Sequence, residues 1–482
     1  MELFGRRKIF TTEQITPENV IEEVNAALAI HAQNRAEEDY LHWYRRGKVP
    51  ILNRVKQVRP EICAKVHIDL ANPTVAFKNG YFLIEPAYYV AQREDEETVR
   101  KAKILNNYLD TSGKHTADSG VVDRFHTVGV GIMYVTPSKE GDMRSPYYAY
   151  SLDPRSAFCV YSYEPGNPAV MGVKMVLRGN NVLLDVFTPT AKYVLKGTTE
   201  PTTLNLSAEG VYALVSANEI VSIEENVVGE VPFVEYYYNE NLMGAFENAI
   251  SIANAVDETE SLRQDGINQF IQSLVIAVDT DFEEGVTANT IQEAGMICLH
   301  SSDGNKPDLK ILTQQLDQAQ TQTTLDDHYT RYYEAVGVPY TTHEGGGTSD
   351  NVGAVYLRNG WANADTCAQN TEELFKQSNE RFDRIVANIL KAKLDLDIDP
   401  EDFKLSFRRN STENLLAKTQ AALNLKTIGL APEIVLERSG LSNDPLNDVE
   451  RSRKYIDAAF AIETPEKPTE TTPTEQTETE NA

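Results

Sequence analysis

His343 and Glu344 set an imidazole beside a carboxylate, inside the run Tyr340-Thr-Thr-His-Glu-Gly-Gly-Gly-Thr-Ser-Asp350. A metal site or an acid–base dyad built on them needs a second histidine at helical spacing, and the sequence places none there. With three consecutive glycines and no lysine or arginine, the run reads as a flexible polar loop. Asp395, Asp397 and Asp399 imitate the start of a calcium-binding loop, but the sixth-position glycine and the twelfth-position glutamate are missing. With Pro400 next, that segment reads as a linker or strand with its polar side chains outward. Asp279 and Asp281 form a close carboxylate pair near Gly285, where solvated turn residues are expected. The chain has no Gly-x-x-x-x-Gly-Lys-Ser/Thr phosphate loop, so it is not an ATP-driven motor. It also has no Gly-x-Ser-x-Gly elbow and no His-Glu-x-x-His pair. One catalytic reading stays open, an acidic polysaccharide hydrolase using the Tyr- and Asp-rich stretches 147–153 and 161–164. It needs two carboxylates at a working separation, and the spacing singles out no pair. Neither a metal nor a cofactor is expected.

Composition narrows the partners. The 482 residues suffice for two or three domains and a sizeable core. A formal net charge of -27 is unlike that of a nucleic-acid binder, which uses basic side chains to displace counterions. If DNA meets this chain, it is expected to be repelled and passed along, not gripped. Cys63, Cys159, Cys298 and Cys367 are scattered without paired spacing, which fits a reducing compartment and neither a disulfide framework nor a zinc ribbon. The N-terminus lacks the apolar run of a secretory signal, and no stretch is long enough to span a membrane, so a soluble intracellular product is expected. Arg6, Arg7 and Lys8 read as a solvated terminus, with a scaffold contact as the alternative.

The elements that carry these residues follow from periodicity. Helical patterns are expected over 17–45, 60–70, 94–109 and 118–130, with a hairpin around Asn79-Gly80 between short strands at 75–77 and 81–84. From 131 to 238 the apolar residues turn β-branched and aromatic and are cut by Gly and Pro. Strands are expected at 132–134, 157–161, 170–177, 182–187, 193–195, 211–215 and 220–223. Residues 1 to about 240 therefore read as an α+β unit, helices first and an antiparallel meander after. Helix returns over 244–272, with Phe246, Ala249, Ile250, Ala253 and Val256 in one apolar stripe. Strands at 274–278, 296–299 and 309–312 form a small β insert, and helix resumes over 317–336. That order sets the insert at the far tip of an antiparallel helix pair. Gly337-Val338-Pro339 stops the second helix. After the glycine loop a helical pattern runs some forty residues, about 60 Å. Gly353 and Gly360 lie inside it, and at least one is read as a kink, with close packing as the even alternative. A strand at 403–407 returns towards the first unit, helices follow at 411–427, 432–439 and 445–460, and the chain ends in a disordered acidic tail.

Several of these stretches together resemble the portal proteins of tailed double-stranded DNA bacteriophages. Val231-Pro-Phe-Val-Glu-Tyr-Tyr-Tyr-Asn-Glu240, leading through 244–250 into 257–265, is similar to the family's passage from wing sheet to stem helix. Gly345-Gly-Gly-Thr-Ser-Asp-Asn-Val-Gly-Ala-Val-Tyr-Leu-Arg358 looks like its tunnel loop and the start of the helix behind it. Phe403-Lys-Leu-Ser-Phe-Arg-Arg-Asn410 resembles the strand that closes the wing, and 152–160 a motif of the wing sheet. No single motif is diagnostic; the ordered set carries the resemblance over roughly residues 20–460.

The resemblance implies an α+β portal fold. Residues 1–245 and 395–410 would be the wing, 246–272 and 316–338 the stem helices, and 273–315 the clip. The tunnel loop would be 339–351, the long wing helix 352–394, the crown 411–462 and the acidic tail 463–482. It implies a ring of about twelve subunits at one capsid vertex, through which DNA is packaged and ejected without sequence preference. Its partners would be the terminase large subunit, then head-completion or adaptor proteins, with the major capsid protein and scaffold around it. Its place would be the virion, and the host cytoplasm during assembly. The channel loop would present Thr341, Thr342, His343, Glu344, Gly345, Gly346, Gly347, Thr348, Ser349, Asp350 and Asn351. Asp257, Glu258, Glu260, Asp326 and Asp327 would line the stem channel. Clip docking would fall to Asp279, Asp281, Glu283, Glu284, Asp303 and Lys306.

Overall fold

A computed structural model describes residues 5–57, 59–83, 85–93, 95–178, 181–201, 213–271, 274–278, 308–312, 318–340, 360–407, 415–442, 445 and 448–453. The chain divides into two units, residues 1–410 and 411–482.

In the first unit the elements run β1 (Ile9–Thr11), α1 (Val20–Arg45), α2 (Ala71–Phe82), β2 (Tyr88–Ala91), α3 (Glu96–Thr111) and α4 (Lys114–Val128). The β-rich stretch then supplies β3 (Val130–Pro137), β4 (Tyr147–Leu152), β5 (Ala157–Ser162), β6 (Ala169–Arg178), β7 (Asn181–Phe187), β8 (Ala191–Pro201), β9 (Ala213–Glu225) and β10 (Phe233–Tyr237). Next come α5 (Ile250–Ile271), β11 (Leu274–Val278), β12 (Asp308–Leu312), α6 (Gln318–Val336), α7 (Trp361–Leu394) and β13 (Phe403–Ser406). In the second unit the described helices include α8 (Leu415–Ile428) and α9 (Pro432–Ser439). The helix expected at 445–460 is helical at 445 and 448–453, and its remainder lies outside the described residues.

The meander divides into two sheets. Strands β5 to β9 pair antiparallel in sequence order, and β1 adds to β5 in parallel at the edge. The other sheet has the order β10-β3-β4. Pairing of Leu274 with Leu312 through Val278 with Asp308 joins β11 to β12, so the insert closes on itself between α5 and α6. The strand expected at 296–299 lies outside the described residues. Pairing of Phe403 with Ala91 joins β13 to β2, which returns the chain to its first part as expected.

The longest helix anchors this unit. On α7, Phe375, Phe382, Ile385, Val386, Ile389 and Leu390 are buried against α3, α4 and the three-stranded sheet. Their three- and four-residue steps keep them on one stripe, and each large side chain contributes about 1.5–3 kcal/mol by leaving water. Polar groups inside the same stripe are satisfied: Tyr236 Oη donates to Asn379 Oδ1 at 3.2 Å, and Tyr89 Oη donates to Asp383. Val20, Val24, Ala27 and Leu28 of α1 cover the apolar face of the six-stranded sheet.

Three local expectations are corrected. Asn79-Gly80 lies inside α2 and forms no hairpin, because Val75 and Phe82 use helical spacing to reach the core, and Asn79 donates to Asp123 at 2.7 Å. Residues 60–70 form no helix, and 63–70 carry neither helix nor strand. Arg6 is 5% exposed and is no solvated terminus. Its guanidinium lies 2.9 Å from Glu37 and 2.7 Å from Glu247, while Arg7 pairs with Glu37 at 3.0 Å.

Candidate functional site

The candidate site is the helix pair α5–α6 and the passage from α6 to α7. One face of α5 is taken up by the chain's own backbone. Asp257, Ser261 and Asp265 stand four residues apart, so they rise along the helix by about 6 Å each. Amides two residues apart on an extended chain advance by nearly the same step, about 6.6 Å. The match is used directly. Ile68 N–H donates to Asp257 Oδ1 at 2.8 Å, Val66 N–H to Ser261 Oγ at 2.9 Å, and Ala64 N–H to Asp265 Oδ1 at 2.6 Å. His67 Nδ1 lies 2.8 Å from Asp257 Oδ2, and Arg54 and Lys56 reach Asp265 Oδ2 at 2.9 and 3.1 Å. These donors hold the Asp265 carboxyl below its ordinary range against the opposing effect of burial. The ladder explains why 64–68 is not helical: alternate amides bond to helix side chains and are unavailable for a helix of their own.

Asp257 therefore leaves the set of channel-lining candidates. It is 1% exposed, and both of its oxygens are engaged within the subunit. The other four acids are placed differently. Glu258, Asp326 and Asp327 are exposed, and Glu260 is half-buried 3.8 Å from Arg263. Asp327 pairs with Arg331 at 2.7 Å and Asp326 accepts from Gln322 at 2.9 Å. Arg263 donates to Gln322 at 3.0 Å and so ties α5 to α6. Tyr332 fixes α6 to the start of α2 by donating to the Leu70 carbonyl at 2.9 Å.

The end of α6 is a built junction. Gly337 has φ +64°, and the amides of Gly337 and Val338 close back on the carbonyls of Glu334 and Tyr333. A Cβ there would meet Cys367 Sγ at a tight 3.1 Å, and the left-handed backbone favours glycine. Tyr340 stacks on Tyr333 with ring centres 4.6 Å apart. The chain re-enters at Gly360, φ +78°, where an added Cβ would lie 3.9 Å from the Pro339 Cα. Gly360 therefore precedes the first turn of α7 and is not a kink within it; Trp361 then packs at a tilt against Phe77 and Tyr81. The chain leaves and returns at one place, Pro339 against Gly360. The channel-loop candidates from Thr341 to Asn351, together with Gly353, lie outside the described residues, as do Asp279, Asp281, Glu283, Glu284, Asp303 and Lys306.

The stretches that suggested a hydrolase are mixed, with Tyr150 and Tyr163 exposed and other members taken up in the fold. Tyr147 and Tyr161 are 1% and 8% exposed, and Asp153 is paired with Arg155 at 2.8 Å. Cys63, Cys159 and Cys367 are free thiols. No described helix is long and apolar enough to cross a membrane. Sequence reading missed the α5 ladder, although its signal was present: Asp, Ser and Asp at four-residue steps on one helix.

No curated protein matches the chain significantly. The family model described as phage portal protein, SPP1 Gp6-like, matches residues 27–459. That span takes in both sheets apart from the edge strand β1, the α5–α6 pair and α7. The chain belongs to the phage portal protein family of the SPP1 Gp6-like type.

Proposed function

We propose that about twelve copies of this chain close into the ring at one capsid vertex, and that double-stranded DNA is packaged and ejected through it. Residues 1–245 with 395–410 form the wing and α5 and α6 the stem. Residues 273–315 form the clip, 339–351 the tunnel loop, 361–394 the wing helix behind it, and 411–462 the crown. The clip docks the terminase large subunit during packaging and head-completion proteins afterwards, through Asp279, Asp281, Glu283, Glu284, Asp303 and Lys306. The ring sits among the major capsid protein, with scaffold present during assembly in the host cytoplasm.

The single observation that carries this reading is the chain's exit and return at one point. Pro339 and Gly360 are neighbours, a Cβ added at Gly360 lying 3.9 Å from the Pro339 Cα, and packed aromatics flank each of them, so the chain leaves the described fold and returns to it at one rigid mount. Support also comes from the paired strands between α5 and α6, a small insert at the tip of a helix pair. Glu258, Glu260, Asp326 and Asp327 supply the stem's negative charge. Repeated about twelvefold, the net charge of -27 sums to about -320 and repels phosphate from a channel wall. The family's role is structural, so the chain acts as a conduit and not as a catalyst. Electron microscopy of the purified protein, averaged end-on, tests this. Rings with a central hole wide enough for a duplex are expected; compact monomers at every concentration, with or without scaffold, would refute the conduit.

A further inference from the structure

Helix α1 separates two surfaces of opposite charge. Its 26 residues put about 38 Å between Val20 and Arg45. At its start, Glu13, Glu18 and Glu22 are exposed. The neighbouring edge strand β9, bound to α1 through Asn25 and the Ala217 backbone at 2.7 and 3.0 Å, adds exposed Glu219, Glu224 and Glu225. Lys192 offsets Glu224 at 3.1 Å, and Lys196 stands opposite Glu219 in the sheet register.

At the other end, Arg45, Arg46, Arg124 and Arg155 line a cleft of about 560 Å³ together with His42 and Trp43. Asp123, Asp153 and Asp39 offset part of this charge, at 2.8 Å from Arg45, 2.8 Å from Arg155 and 2.9 Å from Arg155 respectively. Arg46 remains exposed over the Trp43 ring at 5.7 Å, and the exposed Lys48 lies over the same ring at 4.0 Å. Burial and then the Arg155 and Arg46 charges hold His42 down at about 4, so the imidazole adds no charge near neutrality.

Acids at a helix start and bases at its end stabilise any helix through its dipole. That explanation stops at the helix. Glu219 and Glu225 belong to β9, while Arg124 and Arg155 belong to α4 and the turn between β4 and β5. In a chain of net charge -27, a cleft lined by four arginines, of which Arg45, Arg124 and Arg155 pair with acids and Arg46 is exposed, is an exception calling for an acidic partner. A head-to-tail ring contact requires two different, complementary patches on opposite sides of one subunit.

We propose that these two ends of α1 meet across subunits: the cleft around Trp43 of one copy receives the acidic start of α1 and the β9 edge of the next. The inference rests on the ring reading and gives it a surface. A second copy suits the cleft better than DNA does. Three carboxylates already share the cleft's arginines, leaving an excess suited to a few side-chain acids, while the acidic remainder of the subunit repels a duplex.

The test reverses each end in the full-length chain: Arg46→Glu with Lys48→Glu at the basic end, and Glu18→Lys with Glu22→Lys at the acidic end. All four positions are solvent-exposed, and unchanged circular dichroism and melting of the monomer confirm folding. In native mass spectrometry each variant alone is expected to need about tenfold more protein to form rings than the wild type. A one-to-one mixture of the two variants is expected to assemble again, because every contact then pairs opposite charges. Rings from both variants at the wild-type concentration would overturn the contact while leaving the ring reading intact. Wild-type protein that never forms rings would overturn both. Normal assembly with loss of duplex-oligonucleotide binding in the basic-end variant would overturn the contact in favour of a phosphate site.

Discussion

Arg6 shows how one side chain can tie distant parts of this chain together. Its guanidinium bridges Glu37 of α1 and Glu247 just before α5 and donates to the Val128 carbonyl at 3.3 Å, while its own amide bonds Leu242. Removing a buried cation leaves its carboxylates uncompensated, which typically costs about 3–5 kcal/mol. Arg6→Ala is therefore expected to lower the urea midpoint of the monomer with an unchanged slope, and a shift within error of zero would show the bridge to be dispensable. Nearby, Glu38 is 3% exposed, and burial pushes its carboxyl up to about 8. The sign follows from the raised value. Glu38 favours folding below the ordinary carboxylate range, and that contribution is lost as pH rises to about 8. Glu38→Gln should melt higher than the wild type at pH 8 by about 1–2 kcal/mol in stability and lose the advantage at pH 4. An equal difference at both pH values would rule out ionisation as the cause.

At the scale of elements, the α5 ladder makes a prediction specific to position. Asp257→Ala leaves the Ile68 amide without its acceptor at 2.8 Å and the His67 ring without its partner, a loss of about 1–3 kcal/mol. Hydrogen exchange should accelerate at Ile68 first, less at Val66 and least at Ala64, whose acceptors remain. Uniform acceleration across all three would mean that the segment is held by packing and not by the ladder. The same segment marks where sequence reading fails. Periodicity located α1, α3, α5, α6 and most strands, because their apolar spacing and their burial agree. It misassigned 60–70, whose amides bond to a helix about two hundred residues away, a pairing invisible to a local window. It took Asn79-Gly80 for a turn, since the dipeptide signal is local whereas the burial of Val75 and Phe82 is tertiary. Asp257 was grouped with Glu258 and Glu260 as one acidic face; a helical turn separates neighbours by about 100°, and only Asp257 points inward. The glycines at 337 and 360 were legible as interruptions, but the nearness of Gly360 to Pro339 was not.

For the whole molecule, the charge and the loop make a joint demand. A wall that repels phosphate leaves nothing to hold the duplex in register, so whatever touches DNA in the channel must adapt to it. The segment 340–359 has no lysine and one arginine, Arg358, at its far end; between Thr341 and Asn351 the groups available are hydroxyls, amides, His343, Glu344 and Asp350. In the proposed ring the subunits and the duplex would not share symmetry, so each copy would meet a different stretch of backbone. Glycine at 345, 346 and 347 permits conformations closed to other residues, which lets neighbouring copies take different shapes. Alanine at all three removes about 0.5–1 kcal/mol of backbone freedom per position. The mount is untouched by this change, because Tyr340 on Tyr333 and Gly360 on Pro339 lie outside the substituted run. The triple variant is thus expected to form rings and proheads at wild-type levels while DNA-filled heads fall by about tenfold or more. Restoring Gly346 alone should recover part of the loss, since one free position reopens part of the conformational range. Normal phage yield from the triple variant would show that the glycines serve only to fit the loop, and that tolerance of mismatched symmetry resides elsewhere in the ring.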